Sequence, residues 1–201
     1  MVRHRVRIRF RKEGDLRLIG HHDLARAWER AFRRAGLALR MSEGFRPKPR
    51  MVFASALALG VIGADEALDV ELADARCAEE IHSALSDRLP VGLSINRVEL
   101  LAESAPKPRV ERVRYELPVP AERRAKVAER LAAGAAGSQV DGREATAFIE
   151  EIDLADGLLR FTARVTPEGA TRPRDLLAWL ELSDLDEQGL YLTRTAVELA
   201  T

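Results

Sequence analysis

A single cysteine, Cys77, stands in 201 residues, so no disulfide can form within the chain, and the chain alone cannot supply a Cys-rich zinc or iron–sulfur site. No apolar run approaches the ~18 residues needed to span a bilayer, so no membrane contact is expected. The opening MVRHRVRIRFRKEG alternates charge with apolar residues and lacks the continuous apolar stretch of a signal peptide, which implies a bacterial-type cytoplasmic protein. Absent too are G-x-x-x-x-G-K-[ST], G-x-G-x-x-G and H-E-x-x-H, and with them the usual support for a nucleotide site or a zinc protease. No cofactor and no metal site are expected. Net charge is also lacking, since 32 Lys and Arg meet 32 Asp and Glu. Taken over the whole chain, that balance argues against a nucleic-acid partner.

The balance does not survive division of the chain. Residues 1–50 hold 15 Lys/Arg against 5 Asp/Glu, a net +10, and residues 51–201 hold 17 against 27, a net −10. The positive part begins in a strand. Val6, Ile8 and Phe10 alternate with Arg5, Arg7, Arg9 and Arg11 at the two-residue period of a half-buried strand. From Asp23 to Ala35, Leu24, Trp28 and Phe32 recur at i, i+4 and i+8, which predicts an amphipathic helix closed by Gly36. Pro47 and Pro49 force residues 42–50 to be extended. Strands near 51–59 and 67–73, a helix over 76–88 and a strand over 92–101 follow. APKPR, at 105–109, reads as a proline-punctuated linker. Beyond it the order repeats: a strand around 113–117, a helix over 121–133, strands near 145–154 and 158–166 flanking Asp156-Gly157, a helix from Pro173 to Leu180, and a strand over 190–199. The expected fold class is α+β: two tandem ferredoxin-like (βαββαβ) domains, each a two-layer sandwich on an antiparallel sheet. The expected boundaries are 1–103, a linker at 104–109, and an acidic domain at 110–201.

Residues 7–60 carry more pattern than amphipathicity requires. Ile19-Gly20-His21 with Asp23-Leu24 and Arg26 is followed by Arg30-Ala31 and by Arg33 to Gly36. Then come Ser42, Gly44-Phe45, Pro47, Pro49-Arg50 and Phe53-Ala54 through Gly60. This segment resembles the opening of the radical-SAM-linked protein family, a bacterial domain family; His22 stands where that pattern has an apolar residue. The resemblance covers about 95 residues well and the C-terminal half loosely. It implies encoding beside, or fusion to, a radical SAM enzyme in a setting of RNA metabolism. It supplies no catalytic residue. The chain has no three-cysteine cluster, so radical chemistry would belong to a partner.

Three constellations could carry function. The arginines of the first strand would form an RNA platform, or would pair with Asp69 and Glu71 across the sheet; both readings are open. Arg26, Arg30, Arg33 and Arg34 line the helix face opposite its apolar seam. In the following loop, Arg46, Lys48 and Arg50 alternate on a stiff backbone beside Phe45 and near Arg40. There phosphates are the natural partners, and Phe45 is available for stacking on a base. His21, at the start of the helix, is the one catalytic candidate, as a general base in RNA cleavage; Asp23 is expected to cap that helix. The expected function is a non-enzymatic RNA-binding module acting on tRNA or rRNA with a radical SAM enzyme. The alternatives are a metal-independent endoribonuclease using His21, or a protein-interaction scaffold.

Overall fold

The computed structural model describes residues 4–134 and 138–200. The chain divides into two compact units: one holds the residues up to Arg109 together with the chain's end from Leu199, and the other is Val110–Glu198.

In the first unit, β1 (His4–Lys12) is followed by a short 3-10 turn (Gly14–Leu18) and α1 (His21–Arg34). Then come β2 (Met51–Phe53), β3 (Ile62–Leu72), α2 (Ala78–Ser86) and β4 (Leu93–Leu101). β1 runs antiparallel to both β3 and β4, and β2 pairs with β3. The alternation in β1 sends Val6, Ile8 and Phe10 into the core, each at most 1% exposed. They meet Leu24, Trp28 and Phe32 of α1, with Leu68 and Val70 of β3 and Ile81 and Leu85 of α2. Phe10 and Trp28 pack edge to face at 5.1 Å between centroids, a geometry that favours aromatic pairs beyond their buried area.

Both ends of α1 are set by backbone chemistry. Its C-terminus is a Schellman turn: Leu37 N–H donates to the Phe32 carbonyl (3.0 Å) and Gly36 N–H to that of Arg33 (3.3 Å). Gly36 supplies the left-handed residue at φ 68°. At the other end the helix starts two residues earlier than the apolar period predicts. Gly20 is the N-cap without a side-chain hydrogen bond, so Asp23 lies inside the first turn and does not cap.

The second unit contains β5 (Val110–Pro118), α3 (Ala121–Ala133) and the two-residue strands β6 (Gln139–Val140) and β7 (Arg143–Glu144). β8 (Ile149–Ala155), β9 (Leu158–Thr166), β10 (Gly169–Ala170), α4 (Pro173–Trp179) and β11 (Thr193–Leu199) complete it. Its strands run in the order β10-β9-β5-β11, with β8 on β9 and β6–β7 as a separate ribbon. Tyr115 and Phe161 stack at 4.8 Å in its core.

Two tandem ferredoxin-like domains, each on its own antiparallel sheet, are not what forms. Among the described residues, nine strands belong to a single sheet, accompanied by four α-helices. The reason lies in strand lengths. The strand expected over 51–59 shrinks to Met51–Phe53, because the chain leaves the sheet after Ala54, whose N–H still reaches the Ala67 carbonyl at 2.9 Å. It then turns through Gly60 at φ 83°, whose N–H bonds Arg17. Three residues of β2 cannot satisfy the eleven of β3, and an edge with unsatisfied backbone is a template for further pairing.

Candidate functional site

Site geometry begins with the β1 arginines. Arg7 is opposite Asp69 in the β1–β3 register and holds it with two hydrogen bonds, 2.7 Å from Nε and 3.0 Å from Nη2. Arg5 approaches the same carboxylate at 3.9 Å, and Arg9 and Arg97 converge on Asp65 at 3.4 and 3.7 Å. Arg11 pairs with Glu13. The side chains of Arg5, Arg7 and Arg9 retain only 12, 15 and 10% of their exposure. Burial pushes the Arg9 guanidinium below its ordinary pKa, and Asp65 opposes that shift. Of the two roles open to this face, the geometry builds the neutralised ladder, with Arg7 on Asp69 as cross-strand pairing requires. Glu71 departs from the pairing expected for it. It lies opposite Arg5 and turns its carboxylate to the loop that follows α1.

That loop is closed upon itself. Its base is a ring of backbone bonds: Arg40 N–H to Glu71 (2.8 Å), Glu71 N–H to Arg50 (3.0 Å) and Arg50 N–H to Arg40 (2.8 Å). Higher up, Ser42 N–H donates to the Lys48 carbonyl (2.8 Å), and Lys48 N–H returns to Ser42 Oγ (2.9 Å). Met41 bridges Pro49. The tip turns through Gly44 at φ 121° and leaves Phe45 wholly exposed, at 101%. Glu71 fastens both legs through their side chains as well, with Oε2 3.5 Å from Arg50 Nη1 and 4.0 Å from Arg40 Nε.

The cationic residues singled out by sequence therefore separate. Arg40 and Arg50 are half-buried structural partners of Glu71. Arg26 pairs with Asp23 at 3.4 Å on the surface of α1. Arg30, Arg33, Arg34, Arg46 and Lys48 are all exposed and make no ion pair among the described residues. Phe45 rises between them in the chain, and Glu43 is the one carboxylate in the loop. Missed by sequence reasoning was Glu71 as the anchor of both loop legs. Its place in the acidic alternation of β3 was visible, but not which arginine it would choose.

His21 is exposed, with its ring edge-on to Phe53 at 5.0 Å and to His22 at 6.0 Å. Among the described residues nothing hydrogen-bonds its ring, so no group orients it as a general base. In the second unit Glu150, Asp184 and Glu181 are answered locally. Arg112 meets Glu150 at 2.6 Å and Arg123 meets Asp184 at 2.9 Å, while Lys126 and Arg130 both reach Glu181. A cleft of about 400 Å³ on that unit is lined by Thr162, Glu151, Asp153, Arg114 and Arg160 among others. Among the described residues no group of three or more His, Cys, Asp or Glu is placed to hold a metal ion, and no helix among them is long and apolar enough to cross a membrane.

By sequence the chain falls in a class of bacterial proteins. The pattern of the family described as "Uncharacterized protein conserved in bacteria (DUF2344)" matches residues 5–183, and the chain belongs to that family. No curated protein matches the sequence. Among solved structures, an unknown protein from Galdieria sulphuraria is similar at 16% identity over 100% of both chains, with a TM-score of 0.31, a likeness too slight to bear on the fold.

Proposed function

We propose that this chain is a non-enzymatic RNA-binding accessory module, acting with a radical SAM enzyme in the modification or processing of tRNA or rRNA. One observation carries the RNA part. In the most basic quarter of the chain, the β1 arginines are consumed by Asp65 and Asp69, yet Arg30, Arg33, Arg34, Arg46 and Lys48 remain exposed with no carboxylate partner among the described residues. Their counter-charge comes from outside the chain, and a polyphosphate backbone supplies it at regular spacing. Phe45, fully exposed on a self-closed loop, adds a flat apolar surface on which an unpaired base stacks. The radical SAM partner rests on the resemblance of residues 7–60 to the radical-SAM-linked family.

The test is RNA affinity across a salt series, with a labelled unstructured RNA oligonucleotide. Each phosphate contact on a single strand contributes about 0.7 to the log–log slope, so Arg46→Ala/Lys48→Ala flattens it by about 1.4. An unchanged slope in that variant sinks the site. Retention of a radical SAM enzyme, with no RNA, by protein isolated from cells would favour the scaffold reading instead.

A further inference from the structure

The tetrapeptide Pro-Lys-Pro-Arg occurs twice in this sequence, at 47–50 and at 106–109. Both copies lie in the first unit. The first forms the outgoing leg of the loop described above. The second immediately precedes β5, and its side chains have the same character: Lys107 and Arg109 are exposed and make no ion pair among the described residues. Proline before and after each lysine restricts the backbone to extended geometry, so both copies present their cations with little conformational freedom to lose.

The two copies are fastened to one row of the same sheet face. Arg50, the last residue of the first copy, is held by Glu71 at 3.5 Å. Glu71 is directly opposite Arg5 in the β1–β3 register. The Arg5 guanidinium in turn donates to the carbonyls of Ala105 and Pro106, the latter at 3.3 Å, where the second copy begins. The row Arg50–Glu71–Arg5 thus ties one tetrapeptide to the other across two neighbouring strands. At ~4.8 Å per strand, Arg50 and Arg5 stand about two strand spacings apart, ~10 Å, and the Arg5 side chain spans the remaining distance to the second copy.

We propose that residues 105–109 are a second arm of the RNA site, so that Lys107 and Arg109 contact backbone phosphates of the same strand that Arg46 and Lys48 engage. The inference rests on the RNA reading above. It assigns a binding role to the connector and a positioning role to Arg5, whose charge is spent on carbonyls and Asp69 and does not reach the ligand.

The experiment uses the full chain and a fluorescein-labelled unstructured RNA oligonucleotide, titrated at several salt concentrations. Lys107→Ala/Arg109→Ala flattens the log–log slope by about 1.4, as Arg46→Ala/Lys48→Ala does, and the quadruple variant by about 2.8, each contact adding about 0.7. Circular dichroism and thermal midpoint stay at wild-type values, since all four side chains are exposed. Should the Lys107/Arg109 variant keep the wild-type slope while the Arg46/Lys48 variant flattens it, the second arm is wrong and the RNA reading stands. Should neither change the slope, the RNA reading itself fails. Arg5→Gln with the fold intact separates tethering from contact. It lowers affinity at every salt concentration with the slope within about 0.3 of wild type, and Arg5→Lys, which keeps a donor toward the two carbonyls, restores part of the loss. A slope reduced by a full contact would make Arg5 a phosphate ligand and overturn its positioning role.

Discussion

Asp69→Ala is the sharpest test of how the basic strand is neutralised. The Asp69 side chain is 7% exposed and those of Arg7 and Arg5 are 15 and 12% exposed, so removing the carboxylate leaves two guanidiniums facing each other with little water to screen them. Breaking a buried pair by deleting one partner costs about 3–5 kcal/mol. The lower end applies here, about 3 kcal/mol, because Arg5 keeps its bonds to Ala105 and Pro106. At an m-value of about 2 kcal/mol/M, the urea midpoint of the first unit falls by about 1.5 M. The two tryptophans make this readable, since Trp28 is fully buried in the first unit and Trp179 is in α4 of the second. In a Trp179→Phe background, fluorescence reports the first unit alone. The companion variant Arg7→Met/Asp69→Leu removes both charges while keeping apolar bulk, and returns the midpoint to within about 0.5 M of the parent. A drop below 0.5 M (about 1 kcal/mol at that slope) for Asp69→Ala alone would refute the argument that these charges are buried and mutually dependent.

Other outcomes follow from local geometry. Gly92 sits at φ 91° with the position of a Cβ only 2.6 Å from the Glu13 carbonyl oxygen, whereas Gly36 sits at φ 68° with open space beside it. Gly36→Ala therefore costs about 1–2 kcal/mol for its left-handed backbone, and Gly92→Ala more than that, because backbone must also move; thermal unfolding of the pair checks the order. In the second unit, the hydrogen bond from Lys126, with Arg130 nearby, holds the Glu181 carboxyl below the usual carboxylate range. A depressed folded value means the stabilisation is complete above the unfolded pKa, near 4.3, and disappears as pH falls through the folded one. Glu181→Gln thus lowers the thermal midpoint at pH 7, and the gap from wild type closes on acidification; a gap independent of pH would show that the charge of Glu181 is not what matters.

Elements with strong periods were legible in the sequence. Val6, Ile8 and Phe10 and the Leu24/Trp28/Phe32 seam are buried where the alternation and the helical period place them, because both patterns express a single choice between core and water. Legibility failed where that choice is absent. β6, β7 and β10 are two residues each, too short for any period. The run from Ala54 to Gly60 is apolar enough for a strand but leaves the sheet after Ala54. At the candidate site, the extended cationic loop was legible from its prolines, and Phe45, read as available to a base, is exposed. The division of arginines between Glu71, Asp69 and solvent did not. It is decided by strand register, which brings together residues more than 60 positions apart, as with Arg7 and Asp69, 62 apart.

The prolines of the two basic segments have a consequence for proteolysis. Trypsin cuts after lysine and arginine but not where proline follows, and exposed loops are where native proteins are nicked. Arg46, Lys48 and Lys107 each precede proline. Arg5, Arg7, Arg9 and Arg11, which offer four cleavable bonds in seven residues, lie in a strand paired on both sides by β3 and β4. The basic strand is thus shielded by sheet pairing, and Arg46, Lys48 and Lys107 by the proline that follows each. A digestion of the native protein should leave the cationic arms intact, with Arg109–Val110 and the surface of α1 as the places where cutting begins.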